Sequence, residues 1–427
     1  DWAGFASRRR ESEARGRVRG IGLSCYIEAC AGGEAEPATV RLNRDGTATI
    51  LIGTQSNGQG HATAYAQLAS EQLGLAPEKI DVRQGDTDEI ARGGGTGGSR
   101  SIPVGGASVA FASRTLAAQL KDLASDALEA AAADLELADG VVRIAGTDRA
   151  LPLAELAALP RATPERLSAT DKFRPPEATY PNGTHVCELE ADPQTGHVEI
   201  LRYTVVDDFG VTLNPLLLMG QVHGGVVQGI GQALLERTVY EEDTGQLVTA
   251  TFNDYCVPRA EDVPSFVFET RNVPSTTNAL GMKGAGEAGT IGACPAVMNA
   301  LVDALHSAVG LTHIDMPATP ERVWGPSRLC GGGRPRNRRV PSAFSVVGDR
   351  CRCAACGFPK PARRSGRDRT WREINDSSYR ARRPAGRGLR GGRLGRPQPD
   401  RDAQEPDEER RRLGQGRRRH GQGRGAL

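Results

Sequence analysis

Near Trp324–Pro326 the chain changes composition, and only the part before that break can build a hydrophobic core. Up to about Gly325, roughly 26 basic residues stand against 42 acidic ones, in a body with periodic apolar residues. Beyond it, roughly 28 basic residues stand against 10 acidic ones, so the formal net charge of +2 averages two opposite pieces. Residues 326–427 consist largely of Arg, Gly, Pro and Ala, with runs at Arg410–Arg412 and Arg417–Arg419. Such a segment cannot bury enough apolar area to offset its ordering entropy and is expected to be a disordered basic tail. Those residue types are all coded by GC-rich triplets, which favours a frameshifted or misjoined reading over a functional tail. Nucleic-acid binding by the basic run is the minor alternative. Cys351-Arg-Cys353-Ala-Ala-Cys356 has no following ligand pair at zinc spacing, so no metal site is assigned.

The body is long enough for real cores. Residues 1–17 are charged and expected to fray; 18–325 form the folded region. Apolar or alternating runs at 19–29, 38–42 and 47–53 read as strands, the last two joined by the turn Asn43–Gly46. Residues 60–73 read as a helix closed by Gly74, residues 79–82 as a strand, and 104–135 as a long helix. After a Pro-bearing connection (159–181) come strands at 185–191 and 197–206 and a glycine-studded helix at 216–235. A strand at 266–270 and a helix opened by Pro295 complete the body. Strands and helices mix without strict alternation, which predicts an α+β fold of mixed sheets with packed helices. Gln221, His223, Gln228 and Gln232 interrupt the 216–235 helix, so its glycines serve close packing in a protein with no membrane span. Cys25, Cys30, Cys187, Cys256 and Cys294 are widely spaced, which suits reduced thiols and a cytoplasmic setting. The chain starts at Asp1, so a missing N-terminal portion, with any targeting signal in it, is expected.

Three glycine-rich loops precede helices. Ser56-Asn-Gly-Gln-Gly-His-Ala-Thr63 offers free N–H groups at a helix start and the amide of Gln59. Gly93-Gly-Gly-Thr-Gly-Gly-Ser-Arg-Ser101 sets hydroxyls and a guanidinium beside successive backbone amides, the makings of an anion nest. Gly281-Met-Lys-Gly-Ala-Gly-Glu-Ala-Gly-Thr290 raises only Lys283 and Glu287 as charged groups, and a carboxylate on so bare a backbone can approach a bulky ligand and act as a base. Each loop also has a bland reading: a strand-to-helix turn, a flexible tip, and a packing turn with a solvated Glu287. No GxxxxGK[ST] occurs, so a P-loop is excluded. Together the loops suggest one large polar cofactor gripped at several points.

Five motifs in order carry a family resemblance: Gly58-Gln-Gly-His61, Gly97-Gly-Ser-Arg-Ser101, Val206-Asp-Asp-Phe-Gly210 with Asn214-Pro215, Gly220-Gln-Val-His-Gly-Gly225, and Gly281-Met-Lys-Gly-Ala-Gly-Glu287. Over residues 20–324 the chain resembles the molybdopterin-binding large subunit of the xanthine dehydrogenase and aldehyde oxidase family, especially its branch with aerobic carbon monoxide dehydrogenase. The resemblance implies that Gln59, Gly60, His61, Gly98, Ser99, Arg100 and Ser101 contact a molybdenum–molybdopterin cytosine dinucleotide. It implies Glu287 as the catalytic base in a dry cofactor cavity, where desolvation strengthens a carboxylate as a base. Lys283 would position the loop or a cofactor oxygen. It also implies oxidation of an aldehyde, an N-heterocycle or carbon monoxide, with electrons passing to a [2Fe–2S] small subunit and an FAD-binding medium subunit. Position 62 is Ala where many relatives are acidic, and the family's earlier half, with its substrate-sorting loop, is absent. The expectation is therefore a C-terminal portion of such a subunit; an inactive fragment or pseudogene product is the alternative.

Overall fold

The computed structural model describes residues 2–327. The readings made for the tail, from residue 328 onward, lie outside the described residues. In chain order the elements are α1 (Phe5–Ala14), β1 (Val18–Ile27), β2 (Glu36–Leu42), β3 (Ala48–Ile52), α2 (His61–Leu73), β4 (Ile80–Arg83), α3 (Ala107–Leu128), β5 (Leu135–Ala138), β6 (Val141–Ile144) and β7 (Ala150–Pro152). There follow α4 (Leu153–Ala157), β8 (Ser168–Phe173), β9 (Asn182–Ala191), β10 (Val198–Asp208), α5 (Pro215–Leu234), β11 (Phe266–Thr270), α6 (Ala288–Val309) and α7 (Pro320–Ser327).

Three sheets form an α+β architecture. The first has the order β1-β9-β10-β11, antiparallel except for the parallel pair β10–β11. The second has the order β4-β3-β2-β8, and the third is the meander β5-β6-β7. Alternation in β2, where every second residue from Glu36 to Leu42 is buried, turns one face of the second sheet to α2 and α3. Val40, Ile50, Ile52, Tyr65, Leu116 and Leu120 fill that core. A second core joins the first sheet to α5 and α6 through Leu189, Tyr203, Val226, Val297 and Leu301.

Small residues set the second core's geometry. A Cβ on Gly22 would lie 2.2 Å from Ala296 O and from Ala300 N, and one on Gly20 would overlap Ala300 O. Between α5 and α6, a Cβ on Gly229 would lie 2.6 Å from Ala293 Cβ. Backbones therefore approach as glycine and alanine permit. By length and composition α6 could cross a membrane, yet it packs on β1, β9 and α5 with more than half of its apolar stretch buried, as a core helix does.

Several expectations are corrected. The frayed start is instead α1, because partners for its arginines lie far along the chain: Arg8 Nε donates to Glu188 at 2.8 Å and Arg15 Nη2 to Glu190 at 2.6 Å. Burial pushes the Glu188 carboxyl up, but the Arg8 and Arg19 guanidinium groups outweigh it and hold the carboxyl below its usual range. The long helix expected over 104–135 stops at Leu128. Its Ala130–Ala133 stretch has no large side chain to bury, so the chain turns and places Leu135 and Val142 in the α3 core. The third sheet and β8 fall in stretches where no strand was expected. Helix α6 begins at Ala288 rather than Pro295, because Ala288, Gly289, Gly292 and Ala293 are buried and extend the packing face one turn and more. The five described cysteines are free.

The Gly22–α6 contact predicts that Gly22→Ala destabilises the protein by about 3 kcal/mol or more through overpacking. Gly220→Ala, whose Cβ meets nothing within 4 Å, is neutral or stabilising. Thermal denaturation of the two variants checks this contrast.

Candidate active site

Four segments meet at a cleft: the start of α2, the loop 93–103, the stretch 209–221 and the loop 281–286. Gln59, His61, Ser99, Ser101 and Lys283, five of the residues singled out from sequence, line it. Helix α2 begins after Gly60, whose φ of +83° places it in the left-handed region and whose α-carbon lies under Leu217. No side chain caps this helix, so its first N–H groups are available. His61 is buried, its Nδ1 3.3 Å from Gln84 Nε2, and burial pushes its imidazole below the usual range, toward the neutral form. Gln59 is half-buried, and its Oε1 accepts from Asn57 N and Ser56 Oγ.

The second loop is braced from below. Arg100 turns away from the cleft: its Nη1 donates to Glu36 Oε2 at 2.7 Å and its Nη2 to Glu34 O at 3.0 Å. Glu36 is fully buried and also accepts from Gly94 N at 2.8 Å. Arg100 therefore shapes the loop. Gly98 O accepts from Ala31 N at 3.0 Å, which ties the loop to the segment after β1.

Ser99 makes the central contact. Its backbone is left-handed (φ +52°), its Oγ donates to Glu287 Oε2 at 2.7 Å, and Glu287 N approaches the same Oγ at 3.2 Å. The loop's bareness permits this crossing: a Cβ on Gly284 would lie 2.5 Å from Ser99 O and 2.7 Å from Cys30 Cβ. Glu287 occupies the position just before α6, beside Ser99 and exposed. This corrects the expectation of a deeply enclosed base. Nothing in the described residues covers its outer side, and the cleft's lining reaches Ser99 and Gly286 but not Glu287.

Lys283 lines the cleft while its Nζ donates to Asp208 Oδ2 at 2.6 Å. Burial pushes the Asp208 carboxyl up, but the Lys283 bond and those from Val273 N and Gly210 N outweigh it and hold it below its usual range. A bridge between Gly210 and Met282, and Lys283 N donating to Phe209 O, clamp the two loops together.

Sequence reading missed Glu36 and Glu28. Glu36 begins β2 with no local mark of its ion pair 64 residues away. Glu28 follows β1; burial pushes its carboxyl up, the Cys30 thiol opposes this, and the Glu287 carboxylate adds to the rise. A lone glutamate after an apolar strand gives no signal of such a partner.

A cleft walled by glycine-rich loops, an uncapped helix start and mostly neutral donors is a surface of the kind that can hold a large polar ligand. Residues 1–264 match the model of the molybdopterin cofactor-binding domain, and the chain belongs to that family. It is 38% identical over 320 residues to the 6-hydroxypseudooxynicotine dehydrogenase complex subunit gamma of Paenarthrobacter nicotinovorans, covering 73% of this chain and 40% of that protein. It is 33% identical over 340 residues to the carbon monoxide dehydrogenase large chain of Hydrogenophaga pseudoflava, covering 76% and 42%. The crystal structure of a Cu,Mo-CO dehydrogenase in its carbon monoxide reduced state superposes with a TM-score of 0.67 at 31% identity, over 78% of this chain and 45% of that one. The chain thus spans about two fifths of the length of the curated relatives it matches.

Two stability predictions follow from the braces. Glu36→Ala strands the Arg100 guanidinium and costs about 3 kcal/mol, with faster amide exchange across residues 93–100. The Asp208–Lys283 pair, whose folded carboxyl is held low, contributes fully above the unfolded value of about pH 4 and is lost as pH falls through the depressed value. Denaturation of wild type and Asp208→Asn should therefore differ at neutral pH and converge in strong acid.

Proposed function

We propose that this chain is the part of a molybdenum hydroxylase large subunit that grips one side of the cofactor and supplies the catalytic base, Glu287. The observation that carries the reading is the Ser99–Glu287 crossing at the rim of the cleft, with the Ser99 hydroxyl 2.7 Å from the carboxylate. The donors present suit a molybdopterin. The Gln59 amide and the neutral His61 ring match its ring edges, the Ser101 hydroxyl oxygen adds an acceptor, and the open α2 start matches its phosphate. When bound, the group supplies oxygen transfer to carbon and takes up the electrons.

The residues of this chain do the rest. Ser99 holds Glu287 Oε2, so the carboxylate presents a fixed acceptor for the proton of the water-derived oxygen. Lys283, neutralised by Asp208, holds the loop at the cleft rather than acting as a free cation. In the complete enzyme we assign oxidation of an aldehyde, an N-heterocycle or carbon monoxide; a relative named for carbon monoxide supports the last of these. The cofactor form is the cytosine dinucleotide, the electron route runs to [2Fe–2S] and FAD partner subunits of a heterotrimer, and the setting is cytoplasmic.

The exposure of Glu287 and the partial span of the relatives favour a second statement: residues 1–427 alone do not retain the cofactor. Metal analysis of the purified chain should find little molybdenum. In the complete subunit, Glu287→Gln should lower kcat by about 100-fold or more with molybdenum content unchanged. Retained turnover would remove Glu287 as the base.

A further inference from the structure

Just past the parallel pair β3–β4, Thr54 and Gln84 meet behind the His61 ring. Gln84 Nε2 donates to Thr54 O and also lies 3.3 Å from His61 Nδ1. The Thr54 carbonyl decides which way round the amide sits. It can only accept, so the atom facing it is the NH2 group and not the amide oxygen. That group has two hydrogens to give and accepts nothing. One goes to Thr54 O, and the second is left for Nδ1. A proton on Nδ1 would set N–H against N–H, so Nδ1 is the acceptor of this contact. Burial pushes the ring toward its neutral form, and the Thr54 carbonyl, which also faces it, opposes this. That carbonyl already accepts from Gln84, which reduces its pull on a ring proton. Thr54 is itself fixed and fully buried. The Tyr65 hydroxyl donates its one proton to Ser101 O at 3.0 Å and therefore accepts from Thr54 Oγ1 at 2.6 Å.

We propose that Gln84 is a positioning residue whose amide holds His61 in the tautomer with its proton on Nε2, so that the cleft meets a ring N–H donor and binds an oxygen or nitrogen acceptor of the ligand there. What that donor meets rests on the reading of the cleft as the cofactor site; the place of the proton on the ring belongs to the chain itself. His61 lines the cleft, and Nε2 lies on the ring edge opposite the one that Gln84 holds. Tyr65, whose ring centroid is 5.5 Å from that of His61, has its hydroxyl committed to Thr54 and Ser101 and does not compete. Without the amide, Thr54 O would be free to accept from Nδ1–H, and Nε2 would become a bare acceptor. Gln84 thus chooses between two opposite hydrogen-bonding faces of one ring, from a position behind the cleft that the ligand does not reach.

The test is nitrogen NMR of the purified full chain, isotope-labelled at histidine, without ligand and at about pH 8, where a ring of lowered pKa is neutral. Couplings to the ring carbon protons tell the two nitrogens apart, and His61→Leu removes the His61 signals and so assigns them among the seven histidines. Wild type should show Nε2 protonated and Nδ1 as an acceptor. Gln84→Leu should raise the share of Nδ1–H about fivefold or more, the worth of one lost hydrogen bond. Gln84→Glu, whose carboxylate can only accept, should put a proton on Nδ1. A wild-type ring protonated on Nδ1 overturns the proposal, and so does a Gln84→Leu spectrum that matches wild type. If neither Gln84 variant folds, exchange of the Gln84 amide protons decides. The proton facing the ring should exchange about fivefold slower in wild type than in His61→Leu, and equal rates overturn the proposal. Failure of the cofactor reading would appear as a complete subunit that holds no molybdenum and would leave these ring spectra as they are.

Discussion

Helix α6 lies against β1 with backbone nearly touching backbone, because Gly20 and Gly22 leave no side chain between them. The same economy holds on its other flank, where Gly225 meets Gly289 and Gly229 meets Ala293. This wedge sets the start of α6, and Glu287 is the residue immediately before it. A wider spacing by one methyl layer would move the carboxylate relative to Ser99, which sits on a loop anchored to the other sheet through Arg100 and Glu36. The 2.7 Å bond between Ser99 and Glu287 thus joins two separately built halves of the body, and its length depends on glycine on both sides.

The sequence made the local parts of this legible. Alternation in β2, the apolar run of β3, the α2 span and the turn Asn43–Gly46 are written in short-range pattern, and they stand where the pattern puts them. The three glycine-rich loops are also local signals, and five of the residues taken from them line one cleft. What failed was decided at long range. Helix α1 is held because Glu188 meets its Arg8, and Glu190 meets its Ser12 and the following Arg15, some 180 residues later, and no window of a dozen residues contains that fact. The early start of α6 is likewise a property of the surface it packs on, not of Pro295. Arg100 looked like a ligand cation because guanidinium beside backbone amides fits an anion. Its partner, the buried Glu36, lies 64 residues away.

These internal pairs change how the cleft would hold a charged ligand. The body is acidic, yet two acidic groups beside the cleft are paired with cations: Glu36 with Arg100, and Asp208 with Lys283. The same pairs use up the two cations that sequence alone offered to an anionic cofactor. What remains facing the cleft is a set of neutral groups: the Gln59 amide, the Ser101 hydroxyl and the free N–H groups at the start of α2. Neutral donors fixed by their own backbone pay little reorganisation when a ligand arrives, and a helix start stabilises negative charge without a mobile cation. A free lysine or arginine beside a base would favour its ionised form and weaken its pull on a proton. Locked into ion pairs, neither Lys283 nor Arg100 stands as a free cation beside Glu287, the group proposed as the base.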